Sequence, residues 1–321
     1  MSQARGRAVS EPLVLLPGMM CDARLFLPQV VEFSSDTPVT VAPITGGERV
    51  EEIASALLAQ LPARFALAGL SLGGIVAMEV LRRAPERVTR IALMATTPLP
   101  ETPDYAASRE PRIMGARAGR LAEVLREELP ANALAPGGDS AEILALVQDM
   151  GMRLGAEVFV RQSRALQRRK DQVATLRKIR QPVLVLCGEY DSLTPVKRHA
   201  FMAELIPYAK LVVVTGAGHL PVLEQPRAVN RALRDWMRQP LVLRWAPARG
   251  RRLCCVRPVL CQSGRARDAS PASALLLAGV TEAAGPVALR RAGLAAGVFA
   301  SMKRSTSGRM LLRQLRPAKM P

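Results

Sequence analysis

Six short, mostly apolar runs constrain this 321-residue chain more than any other feature: PLVLLPG (12–18), PVTVAPI (38–44), RFALAGL (64–70), VTRIALMAT (88–96), PVLVLCG (182–188) and AKLVVVTG (209–216). A strand that exposed one face to water would alternate apolar and polar residues, whereas a strand that is apolar throughout is covered on both faces. Helical patterns such as ERVEEIASALLAQL (48–61) separate most of these runs. Strands and helices in alternation predict an α/β fold: a mostly parallel six-stranded sheet with helices on both faces.

One interval is too long for a simple crossover. Residues 98–181 carry three helical stretches, MGARAGRLAEVLREEL, SAEILALVQDMGMRL and EVFVRQSRALQRR, with Pro and Gly signals at LPANALAPGGD. They are expected to form a helical cap between the fourth and fifth strands. Ligands of open α/β sheets bind outside the carboxyl ends of the strands, so an insert leaving from such an end would cover the site. The core is then residues 11–97 and 182–239, with 1–10 a loose lead-in.

The formal charge of +18 invites a nucleic-acid or membrane reading, but its distribution argues otherwise. Residues 241–321 hold 15 Lys and Arg against 2 Asp and Glu, leaving 30 against 25 for the first 240. The segment 240–321 is a basic, low-complexity tail of Arg, Ala, Leu, Gly and Pro with no sustained periodicity, a composition that does not specify a packed core. It reads either as a disordered or frameshift-derived extension or as a basic arm for RNA or acidic lipid. With only Trp245 and Phe299 as aromatics, it offers a poor platform for base stacking.

The chemistry concentrates at Gly69-Leu70-Ser71-Leu72-Gly73, where the buried strand 65–70 gives way to a helical pattern. A G-x-S-x-G turn between strand and helix holds the serine clear of the sheet at a helix N-terminus, and the turn is so tight that its flanking residues must be small. A serine hydroxyl needs a base and a group to orient that base. Of the two histidines, His219 follows a strand and a glycine turn (LVVVTGAGH), at the same end of the sheet as Ser71; His199, in PVKRHAFMAELIP, is expected on a charged, solvated helix face. Asp191, in the loop LCGEYDSLTP after the fifth strand, is the expected acid, with Glu189 as its rival. The backbone N–H groups of Leu72 and of Met19, which follows Gly18 in the loop after the first strand, are the expected oxyanion donors.

The elbow GLSLGG, the acid loop CGEYDSLTP and the segment GAGHLPVLEQP make residues 12–238 resemble capped, single-domain α/β-hydrolases, among them carboxylesterases, 3-oxoadipate enol-lactonases and the menaquinone-pathway synthase. The chain has Pro17-Gly18 where many relatives have His-Gly, and it lacks the antiparallel hairpin that opens larger members. The resemblance implies a serine hydrolase acting on a small carboxylic ester, thioester or lactone. A C–C bond hydrolase or lyase with the same triad and a non-catalytic binding protein on the same fold are the alternatives.

Arg161 and Arg164 stand three apart on a cap helix, with Arg168 continuing that face, and suggest binding of a carboxylated substrate. No metal-ligand spacing, dinucleotide fingerprint or phosphate loop is present, so no cofactor is expected. Neither a secretory signal nor an apolar run long enough to span a membrane stands out, and the scattered cysteines fit a cytoplasmic protein with a small-molecule substrate.

Overall fold

A computed structural model describes residues 11–241, Gly138 excepted. The expected lead-in (1–10) and almost all of the basic tail lie outside the described residues. Six strands form one sheet: β1 (Leu13–Leu16), β2 (Val39–Val41), β3 (Phe65–Leu70), β4 (Val88–Met94), β5 (Val183–Gly188) and β6 (Lys210–Val214). Their order is β2-β1-β3-β4-β5-β6, and every pairing is parallel. The chain therefore runs from β1 out to β2 and returns to β3 on the other side of β1. At that switch point the loops after β1 and β3 leave in opposite directions and open a crevice.

Side chains alternate between two cores, as the period of a strand requires. Val14, Leu16, Phe65, Leu67, Ile91, Leu93, Val183 and Val185 face one cluster, packed by α2 (Val50–Gln60), α3 (Leu72–Arg83) and α10 (Val196–Leu205). Leu13, Leu15, Ala66, Ala68, Ala92, Met94, Leu184 and Leu186 face the other, covered by α1 (Leu27–Phe33) and α12 (Pro226–Met237), whose Trp236 is fully buried. The short α11 (Pro221–Glu224) precedes α12. The mostly apolar strand pattern thus corresponds to helices on both faces.

Between β4 and β5 lie α4 (Pro103–Ala107), α5 (Arg109–Arg117), α6 (Leu121–Glu128), α7 (Ser140–Leu154), α8 (Ala156–Gln167) and α9 (Val173–Arg177). The stretch 114–129, read from sequence as one helix, is broken: Gly119 takes φ +85° and ends the α5 segment. Ile113, Val124, Leu125, Val158 and Phe159 from α5, α6 and α8 form a third cluster with Met20, a residue of the loop after β1. No helix among the described residues is long and apolar enough to cross a membrane.

Candidate active site

Each reactive side chain is set by the carboxyl end of a strand. Ser71, directly after β3, has φ 54° and ψ −117°. For a residue with a Cβ this left-handed conformation is strained by about 1–3 kcal/mol and persists only where the surroundings impose it. They do so through contact with two glycines: a Cβ on Gly69 would lie 2.3 Å from the Gly73 carbonyl oxygen, and one on Gly73 only 2.1 Å from that of Leu16. Met20 after β1 (φ 54°) and Ala95 after β4 (φ 43°) are left-handed as well. Strain gathers on this edge of the sheet.

Ser71 Oγ lies 3.1 Å from His219 Nε2, and His219 Nδ1 lies 3.0 Å from both carboxylate oxygens of Asp191. With its proton on Nδ1, bonded to the carboxylate, the imidazole presents Nε2 as an acceptor to the serine hydroxyl. Asp191 also accepts from Leu193 N–H (3.0 Å), Thr194 N–H (2.8 Å) and the Thr194 hydroxyl (2.7 Å). Burial disfavours its charge, but the bonds from His219 and Thr194 outweigh burial and hold the carboxyl below the usual carboxylate range. Glu189 is exposed and accepts from Gly216 N–H, so it takes no part in this chain. The histidine loop is clamped by Glu224, whose carboxylate accepts from Gly218 N–H (2.8 Å), Leu220 N–H (2.9 Å) and Ala135 N–H (2.7 Å).

Ser71 and His219 open into a cavity of ≈ 380 Å³ that Met19 and Leu72 also line. Among the described residues, neither the Met19 nor the Leu72 backbone N–H has a hydrogen-bond partner. Two free N–H donors beside a serine hydroxyl form the kind of site that stabilises a developing oxyanion. The left-handed turn of this loop falls on Met20 rather than Gly18, and Met20 N–H donates to Gln162 Oε1 (2.8 Å). Gln162, fully buried on α8, passes the tie on to the Ile44 carbonyl (3.1 Å).

The model of the alpha/beta hydrolase family matches residues 13–232. The chain belongs to the α/β-hydrolase family. Similar proteins include a pimeloyl-(acyl-carrier protein) methyl ester esterase of Aromatoleum aromaticum, 31% identical over 60% of this chain and 81% of that one. Another of that description, from Nitrosomonas europaea, is 28% identical over 56% of this chain and 73% of its own. Among solved structures, a thermophilic esterase from Thermogutta terrifontis with malate bound has a TM-score of 0.65 at 25% identity, covering 72% of this chain and 90% of that one. The enol-lactonase of Burkholderia xenovorans LB400, at 22% identity and a TM-score of 0.64 over 72% of this chain and 92% of its own, shares the fold. This α/β-hydrolase is an enzyme of the carboxylic ester hydrolase class.

Two expectations for this α/β-hydrolase need correction. His199 is not on a solvated face: it is fully buried under the elbow, where burial pushes its imidazole down to about 4 and keeps it neutral. As a neutral acceptor, its Nε2 takes the Thr96 N–H (3.0 Å), while the Thr96 hydroxyl donates to the Ser71 carbonyl (2.7 Å). A second hydrogen-bonded chain therefore supports Ser71 from behind. Arg161 and Arg164 do not line the cavity over Ser71: Arg161 Nε donates to the Thr45 carbonyl (3.0 Å), and Arg164 is paired with Glu110. The arginines that do line it, Arg109, Arg169 and Arg198, were missed. No sequence signal distinguishes them, because their surroundings are made by tertiary contact.

Proposed function

We propose that the chain is a serine esterase that cleaves a small carboxylic ester, thioester or lactone through an acyl-enzyme. The observation that carries this reading is the hydrogen-bonded series Ser71, His219, Asp191 at a cavity where the Met19 and Leu72 N–H groups are free. Ser71 Oγ attacks the carbonyl carbon while His219 Nε2 takes its proton. Negative charge develops on the carbonyl oxygen and meets the N–H groups of Met19 and Leu72. Asp191 fixes the imidazole tautomer and offsets the imidazolium charge. His219 then gives the proton to the departing alkoxide or thiolate, leaving an ester on Ser71. Water, deprotonated by His219, attacks that ester; the tetrahedral species collapses to the carboxylic acid and restores the Ser71 hydroxyl.

Residues 98–181 act in this reading as a cap that sets substrate range, since Tyr105, Arg109, Leu166 and Arg169 line the same cavity as Ser71. The methyl ester esterases among its relatives support an ester with a small alcohol. The buried, unpaired thiols of Cys21 and Cys187 fit a cytoplasmic enzyme. The test is covalent labelling by a fluorophosphonate beside hydrolysis of p-nitrophenyl acetate. The native enzyme should be labelled at Ser71 and turn over the ester, and Ser71→Ala should abolish both with an unchanged circular dichroism spectrum. Native-rate hydrolysis by Ser71→Ala would overturn the assignment.

A further inference from the structure

The cavity over Ser71 is lined by three arginines in two different situations. Arg109 is almost fully buried; its Nε and Nη2 contact Glu101 (2.7–3.0 Å) and its Nη1 contacts Glu128 (3.1 Å). Arg169 Nη1 donates to the same Glu101 (2.9 Å) and its Nε to the Leu99 carbonyl (2.9 Å). Arg112, which does not line the cavity, is the third cation of the cluster and contacts Glu128 (2.6 Å). Three guanidinium groups thus share two carboxylates, and the cluster keeps one positive charge in excess. Its carboxylates are already engaged, so they offer nothing further to a cation in the cavity.

Arg198, on the first turn of α10, is half-buried against the same cavity and makes no side-chain hydrogen bond or ion pair among the described residues. The remaining acid of the site, Asp191, is taken up by His219, Leu193 and Thr194. A guanidinium is charged at every relevant pH and presents a planar fork of donors that matches a carboxylate. Desolvating such a group without an anion is costly, and substrate binding would desolvate it further. The cavity is therefore electropositive on two counts: the excess charge of the Glu101 cluster, and a cation with no side-chain partner among the described residues.

We propose that Arg198 binds a carboxylate carried by the substrate, so that the ester cleaved at Ser71 belongs to a small molecule that is itself an acid. This rests on the reading of Ser71 as nucleophile and names the substrate class of that site. At ≈ 380 Å³ the cavity is near the lower end of the range for small-molecule sites, about 300–1,000 Å³, which favours short half-esters of dicarboxylic acids or carboxylated lactones over long-chain esters. Arg198, rather than the cap pair Arg161 and Arg164, then determines the preference for an anion.

The test compares monomethyl glutarate with dimethyl glutarate, which places the carboxylate on the acyl side, and acetoxyacetate with its methyl ester, which places it on the alcohol side. The native enzyme should favour the acid of at least one pair tenfold or more in kcat/KM. Arg198→Gln should erase that ratio through KM, and Arg198→Lys should restore part of it. Calorimetric binding of glutarate by the native protein, weakened tenfold or more in Arg198→Gln, reads the same contact without turnover. That arm keeps the proposal testable even if Ser71 proves unreactive and the esterase reading fails. The proposal is overturned if neither acid is preferred, if Arg198→Gln leaves the ratio intact, or if glutarate binding is absent or unaffected by the substitution.

Discussion

His199 turns a buried hydrogen bond into an acid sensitivity that can be measured. Its imidazole is pushed from 6.5 down to about 4, first by burial and further by the nearby Arg198 cation, against the opposing pull of Asp191 and of the Pro195 carbonyl. The unfolded chain therefore binds a proton at this position between pH 6.5 and 4, where the folded protein does not. Stability contributed by the neutral imidazole is present above pH 6.5 and is lost as pH falls toward 4. For that interval the linkage relation gives a loss of about 2 kcal/mol between pH 7 and pH 5, a sizeable share of the roughly 5–15 kcal/mol that holds a domain together. His199→Gln keeps an acceptor for the Thr96 N–H and removes the titration. Urea unfolding followed by circular dichroism at pH 7, 6 and 5 should show the native protein losing about 2 kcal/mol more than the variant. Parallel losses in the two proteins would refute the assignment of His199 as a buried neutral acceptor.

Three further substitutions test the scaffold. Gly73→Ala places a methyl group 2.1 Å from the Leu16 carbonyl oxygen and should abolish soluble folded protein, whereas Gly119→Ala, at φ +85° with nothing within 4 Å, should cost only about 1 kcal/mol by thermal unfolding. Gln162→Leu removes the partner of Met20 N–H and of the Ile44 carbonyl, leaving buried groups unpaired at about 1–3 kcal/mol each; it should lower kcat more than it raises KM by loosening the Met19 loop, as read by steady-state kinetics with p-nitrophenyl acetate.

The sheet was legible because its signal is local: a parallel strand buried on both faces is apolar almost throughout, as β3 and β5 are and as β4 is from Ile91 to Met94. The elbow was legible for a related reason, since only glycine tolerates the approach of 2.3 Å at residue 69 and 2.1 Å at residue 73. His199 was misread because its neighbours Lys197 and Arg198 are charged. The corrective signal was the helical spacing of His199, Met202 and Ile206, which places all three on one buried stripe. Gln162 could have been found the same way: it falls with Val158, Phe159, Ala165 and Leu166 on the buried face of α8, while the arginines chosen from that helix bracket it on the outside. The partners of Glu101 were beyond reach, because Arg109 and Arg169 stand 8 and 68 residues away and meet it only through the packing of the helices between β4 and β5.

Sequence position alone thus misplaced His199 and passed over its neighbour Arg198. Adjacent residues on a helix point about 100° apart, so a helix whose first turn lies under the carboxyl end of the sheet can send one side chain into the core and the next into the cavity. His199 goes inward and braces the carbonyl of Ser71 through Thr96; Arg198 goes outward and faces the cavity over Ser71. The loop bearing Asp191 leads directly into this helix, so the residues that bond to His219, brace Ser71 and face the cavity lie within nine positions of one another, 191–199. A shift of α10 would therefore disturb all three together. This predicts that perturbations of α10 change kcat and KM jointly in steady-state kinetics, whereas on the proposed esterase reading loss of the Ser71 hydroxyl should remove kcat and leave glutarate binding intact.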